Sequence, residues 1–237
     1  MAWRYADPVA GVIERSSAVF DRGPGAERIA YFSDAVYAIA LTLLVVDLKI
    51  PDGATSAADV MAQEWPSYLG FALSFVIISI SWIGHHRRFR VIVRHDVGLI
   101  VINLVLLFGI ASVPFPTALL AEFSPQPVAV ALYAAVVAFI LLAQLATWMY
   151  ARHHKLLSSV VDDGMYWNVV WNVLPTPVLF LLSIPIAFVF GGQIAMYTWL
   201  ALIVIGPISG RMVARAIDAR IPAPDPDLET ASSPPSD

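Results

Sequence analysis

No cysteine occurs anywhere in the chain. That absence excludes a disulfide framework, thiolate metal ligation and a cysteine nucleophile together, and it leaves the redox compartment unreadable. Charge is scarce as well. Of the 237 residues 14% are charged and 59% hydrophobic, whereas a soluble domain carries about a quarter charged residues. With a mean hydropathy of +0.74, water is not the main solvent. The formal net charge of -4 implies no nucleic-acid or other partner, because in a membrane protein the placement of charges matters more than their sum. Glycine-rich phosphate loops, HExxH and nucleophile-plus-base constellations are all missing, so nothing indicates an enzyme or a cofactor.

What is present is a series of apolar runs. A span of the hydrocarbon core needs roughly 20 mostly apolar residues, and six segments qualify: Ile29 to Ile50, Ser67 to Gly84, Val97 to Ala121, Val128 to Tyr150, Val169 to Phe190, and Ile194 to Arg211. Breakers and polar clusters such as PDGATSAADV, EFSPQP and FGGQ separate them. The expected fold is an all-α polytopic membrane protein with a single six-helix domain over residues 28–214. It is preceded by a cytoplasmic segment, 1–27, that lacks the apolar core of a signal peptide. It is followed by a tail, 215–237, rich in proline, serine and acid, the composition of disorder. No internal repeat of the kind built into many transporters is visible.

Basic residues give the orientation, since lysine and arginine in short loops stay on the cytoplasmic side. Arg4, Arg15, Arg22 and Arg28 precede the first span; Arg87, Arg88, Arg90 and Arg94 join the second to the third; Arg152 and Lys155 join the fourth to the fifth; Arg211, Arg215 and Arg220 follow the sixth. Only Lys49 falls on the other side. With six spans these basic segments share one face, which predicts cytoplasmic termini.

Ionisable groups inside a span are costly and usually functional, and the middle of every run lacks them. A membrane lysine for a retinal Schiff base and a mid-membrane carboxylate relay for a proton-coupled carrier are therefore absent. The exception lies at the inner end of the first span, R-I-A-Y-F-S-D from Arg28 to Asp34. Asp34 sits about 9 Å deeper than Arg28 and needs a partner. His85 and His86 end the second span, and Asn103 lies about two turns into the third, at similar depth. These positions predict an inner polar network of Ser33, Asp34, His85 or His86, and Asn103, which either fastens helices together or shapes a gate. The histidine pairs His85-His86 and His153-His154 diverge by about 100° on a helix, which favours interfacial anchoring over a metal site. Beyond Asp34, Phe32, Val36, Ile39, Leu43, Val46 and Ile50 share one aliphatic face at helical spacing, flanked by the hydroxyl of Thr42. Periodicity alone reads that stripe as lipid-facing or core.

The string RIAYFSDAVYAIALTLLVVDLKIP resembles the first helix of the transmembrane protein 175 family, endolysosomal potassium channels with single-repeat bacterial relatives. Its R-x-x-x-F-S-D motif is matched by Arg28, Phe32, Ser33 and Asp34. SWIGHHRRF at the end of the second span and VPFPTALL at the end of the third extend the likeness. The resemblance implies a homotetramer in the lipid bilayer, with the first helix lining a central pore for K+ and no re-entrant filter loop. It further implies a constriction of aliphatic rings at Ile39, Leu43 and Val46, with Thr42 as a hydroxyl layer. A secondary transporter and a non-conducting membrane scaffold are the alternative readings.

Overall fold

A computed structural model of the chain describes residues 25–199. Residues 1–24 of the predicted N-terminal segment, the predicted tail, most of the sixth span and the basic residues Arg4, Arg15, Arg22, Arg211, Arg215 and Arg220 lie outside the described residues. Within them the chain is helical, and five stretches are long and apolar enough to cross a membrane: Arg28–Val46, Ala57–Phe89, Val97–Phe123, Pro127–His153 and Asp163–Phe190.

Helix α1, Gly25–Leu43, tightens into a 3-10 turn, Leu44–Asp47. Leu48 then leaves the helix in extended conformation, with its N–H donating to the Val45 carbonyl at 3.1 Å. Such tightening satisfies carbonyls that have no partner in the last α-turn. Ile50, expected on the helical stripe, therefore lies beyond the helix altogether.

Helix α2, Ala57–Phe89, runs 33 residues, about 50 Å, and so overshoots a hydrocarbon core of about 30 Å. It is longer than the predicted span because Ser56 caps it: the serine hydroxyl accepts from the Asp59 N–H at 3.1 Å. Pro66 sits inside without ending it.

The third span divides into α3, Val97–Ser112, and α4, Pro114–Phe123; the fifth divides into α6, Asp163–Val173, and α7, Pro175–Phe190. The divisions follow from Pro114 and Pro175, each of which removes one backbone donor. Val113 and Leu174, just before them, both keep helical angles of φ -57 and ψ -38, so each span continues past its proline. The fifth span starts earlier than its apolar run because the Asp162 carboxylate accepts from Met165 N–H at 2.6 Å and caps the polar first turn. Between these spans lies α5, Pro127–His153, and α8, Gly192–Trp199, follows α7.

Helix α5 is the centre of the bundle, packed against α3 on one side and α7 on the other, while α1 lies against α2 and α3. Tyr37, Ala40 and Leu44 of α1 enter a core with Ile78, Leu106, Ile110 and Ile140. A second core joins Tyr133 of α5, Phe180 of α7 and Trp199 of α8, where the Trp199 indole donates to Ser183 Oγ at 3.0 Å. At the basic end, the α2–α3 and α5–α6 connections pair as a short antiparallel bridge, Ile92 opposite Leu157. Val93 N–H donates to the Leu156 carbonyl at 3.0 Å and Ser158 N–H to the Val91 carbonyl at 2.8 Å.

Candidate functional site

Helix α1 has two faces. Ser33, Tyr37, Ala40 and Leu44 are buried, and their steps of four, three and four residues trace one stripe at the α-helical period. On the other side Phe32 is 55% exposed, Ile39 58%, Leu43 45% and Val46 66%, with Thr42 exposed beside them. The Thr42 hydroxyl donates to the Ile39 carbonyl at 2.8 Å, which leaves its oxygen free to accept. A large apolar stripe uncovered in the protomer needs a lipid, a pore or another subunit against it.

The buried stripe is held by two polar knots. In the first, Ser33 Oγ donates to the Ile29 carbonyl at 2.8 Å and accepts from Asn103 Nδ2 at 2.9 Å. Asn103 Oδ1 pairs with His85 Nε2 at 3.0 Å. Because that amide oxygen can only accept, His85 must carry a proton on Nε2. The ring stacks on Phe89 with centroids 4.2 Å apart, and its buried Nδ1 has no hydrogen-bond partner. Thus α1, α2 and α3 are joined by three residues that the sequence places at one depth.

Asp34 and His86 do not enter this knot. The Asp34 carboxylate accepts from the Trp82 indole N–H at 2.7 Å, and His86 lies against the Trp82 ring at 5.6 Å. Arg28 is exposed at the start of the helix.

The second knot is built on Gln144 of α5, which sequence reasoning passed over. Its amide nitrogen donates to Tyr37 Oη at 3.0 Å and to the Ser81 carbonyl at 2.9 Å, and it approaches Ser81 Oγ at 2.5 Å. Tyr37 Oη and Ser81 Oγ are themselves 3.1 Å apart. The amide oxygen accepts from the Arg88 guanidinium, so the partner of this partly buried cation is an amide rather than a carboxylate. The signal was available: Gln144 is the only amide in the run Val128 to Tyr150. Trp82 was equally readable, four residues before His86 and hence on its face of the helix. Among the described residues no group of three or more histidine, cysteine, aspartate or glutamate side chains is arranged to hold a metal ion.

This arrangement has relatives. Residues 28–114 match the family described as endosomal/lysosomal potassium channel TMEM175. A potassium channel of Streptomyces collinus is 40% identical over 142 residues, covering 57% of this chain and 69% of that one. A potassium channel of Chamaesiphon minutus is 35% identical over 170 residues, 68% of this chain and 84% of its own. The crystal structure of a lysosomal potassium-selective channel TMEM175 homologue from Chamaesiphon minutus superposes with a TM-score of 0.65 at 30% identity, covering 79% of this chain and 99% of that one. The first-span motif, the helical order and the two bacterial sequences converge, and the chain belongs to the TMEM175 family of potassium channels.

Proposed function

We propose that this chain is one subunit of a homotetrameric channel that conducts K+ across a bacterial inner membrane, with modest selectivity and with α1 lining the pore. One observation carries the reading: α1 is tethered to α2, α3 and α5 along one face by Ser33 and Tyr37, while its opposite, aliphatic face is uncovered. Four copies placed around an axis would turn Ile39, Leu43 and Val46 inward as rings, with Thr42 beside them. Residues 28–214 form the channel domain in this reading, and the basic end of the bundle is cytoplasmic by the positive-inside rule.

Aliphatic rings offer a cation no ligands, so a narrow ring is a dewetting barrier and discrimination comes from the cost of stripping water from the ion. Potassium gives up water more readily than sodium, which sets the order and keeps the ratio small. Val46 is shorter than leucine or isoleucine and makes the outermost ring the widest of the three. At the outer mouth, Asp52, Asp59 and Glu64 concentrate cations. Asp59 is partly occupied already, accepting from the Thr55 hydroxyl at 2.7 Å.

The test is reconstitution into liposomes with opposed potassium and sodium gradients and an ionophore control. The channel reading requires passive, saturation-resistant cation flux. Substrate-coupled flux would identify a secondary transporter, and a permeability equal to empty liposomes would identify a scaffold.

A further inference from the structure

At the basic end of the bundle, the turn that follows α5 forms an open cavity of about 410 Å³ lined by Arg152, His153, Lys155, Leu157, Ser158 and Ser159. None of these residues belongs to α1 or to either polar knot. Among the described residues the cavity is walled by a guanidinium, an ammonium, an imidazole and two hydroxyls with a single aliphatic side chain, and none of its lining residues is a carboxylate. Its shape is held from outside: the antiparallel bridge ties Leu156 and Ser158 to Val93 and Val91, and Lys155 adopts φ 56, the left-handed region uncommon for a residue with a Cβ.

Two features set the cavity at the membrane surface. Helix α6, which begins a few residues later, exposes Trp167 (52%) and Trp171 (65%) with their rings 6.5 Å apart on one face. Indoles displayed in this way settle at the level of lipid headgroups. Directly before α6, Val160 is 75% exposed, an aliphatic side chain available to acyl chains rather than to protein.

A pocket of ammonium, guanidinium and hydroxyl donors at headgroup depth matches a phosphate group. From the indole belt beside it, we infer that this pocket is a binding site for the phosphate headgroup of an anionic phospholipid. Arg152 is held back in the protomer by Asp163, which accepts from its guanidinium, and it lies over the Tyr166 ring at 5.6 Å. Lys155, His153 and the two serines therefore make the primary contacts, and Asp163 tunes the site by competing for Arg152.

Purified protein in neutral detergent, titrated with dioleoyl phosphatidylglycerol or dioleoyl phosphatidylcholine and read by native mass spectrometry, tests the site. Phosphatidylglycerol should bind more tightly than phosphatidylcholine. Lys155→Ala should weaken it about fivefold, the worth of one basic group near a membrane surface, and the double variant Lys155→Ala, Ser158→Ala further. Asp163→Asn should move affinity the other way by freeing Arg152. Bound lipid is counted only in the fraction that elutes with the wild-type oligomer, so misfolded protein does not enter the comparison. Equal affinities for wild type, the double variant and Asp163→Asn would overturn the assignment. Displacement of phosphatidylglycerol by millimolar inorganic phosphate would also overturn it, by showing a soluble phosphate site instead of a lipid one.

Discussion

Gln144 reaches across 63 residues of sequence to donate to the main-chain carbonyl of Ser81 at 2.9 Å, and on its other side it accepts from Arg88. One side chain of α5 thus fixes the C-terminal half of α2 and, through Tyr37, the rotation of α1. Replacing it by leucine removes the amide that Arg88 donates to, while the Tyr37 phenol keeps Ser81 Oγ. Gln144→Leu should cost about 1.5–3 kcal/mol, the range for hydrogen bonds to charged groups, seen as a lower thermal midpoint in detergent. Gln193→Leu, whose amide bonds Tyr197 on an exposed surface, serves as the control and should change little.

Asn103 joins Ser33 and His85. Interhelical hydrogen bonds in membranes average about 0.6 kcal/mol each, so Asn103→Ala should lose about 1 kcal/mol, less than Gln144→Leu. The potassium-to-sodium permeability ratio in liposomes should stay unchanged. A shifted ratio with intact stability would instead assign the knot to gating.

A Cβ on Gly192 would stand 2.1 Å from the Pro125 carbonyl oxygen, whereas one on Gly109 would meet Ile140 and the Phe139 ring at 2.9 Å. Backbone yields less than a side chain. Gly192→Ala should therefore destabilise more than Gly109→Ala, each within or above the 1–3 kcal/mol typical of overpacking. Comparing their thermal midpoints checks the order.

On the proposed pore, Ile39→Asn and Leu43→Asn place polar groups where the barrier is set by dewetting. Both should raise cation flux in liposomes and blunt discrimination of potassium from sodium, while Val46→Leu should lower flux by narrowing the widest ring. Unchanged permeability ratios in both asparagine variants would remove Ile39 and Leu43 from the constriction.

The membrane fold was legible because spans announce themselves by length and apolarity, and the first five predicted runs each fall within a helical stretch apart from the outer end of the first. The misreadings were local. Capping by Ser56 and Asp162 lengthened the second and fifth spans through residues too polar to look membrane-embedded, and Pro114 and Pro175 divided the third and the fifth. Ser33, His85 and Asn103 could be grouped from depth alone, since each lies near the same end of its helix. Asp34 went to Trp82 because depth does not specify azimuth, and an indole donor on the facing side of α2 was nearer in angle than either histidine. Gln144 was missed for a different reason: without a charged neighbour in sequence, a single amide in an apolar run gives no hint that an arginine from another helix will reach it.

The change of winding at the outer end of α1 has a geometric result. From Ile39 to Leu43 the α-helix turns about 400° and rises about 6 Å. From Leu43 to Val46, through the 3-10 turn at Leu44–Asp47, three residues complete about 360° and again rise about 6 Å. An unbroken α-helix would have carried Val46 about 60° off the azimuth of Leu43. The tighter winding cancels that drift, so the upper two side chains stand one above the other and all three are evenly spaced. Whatever occupies that face meets three rungs equally spaced in height, the upper two in line with each other.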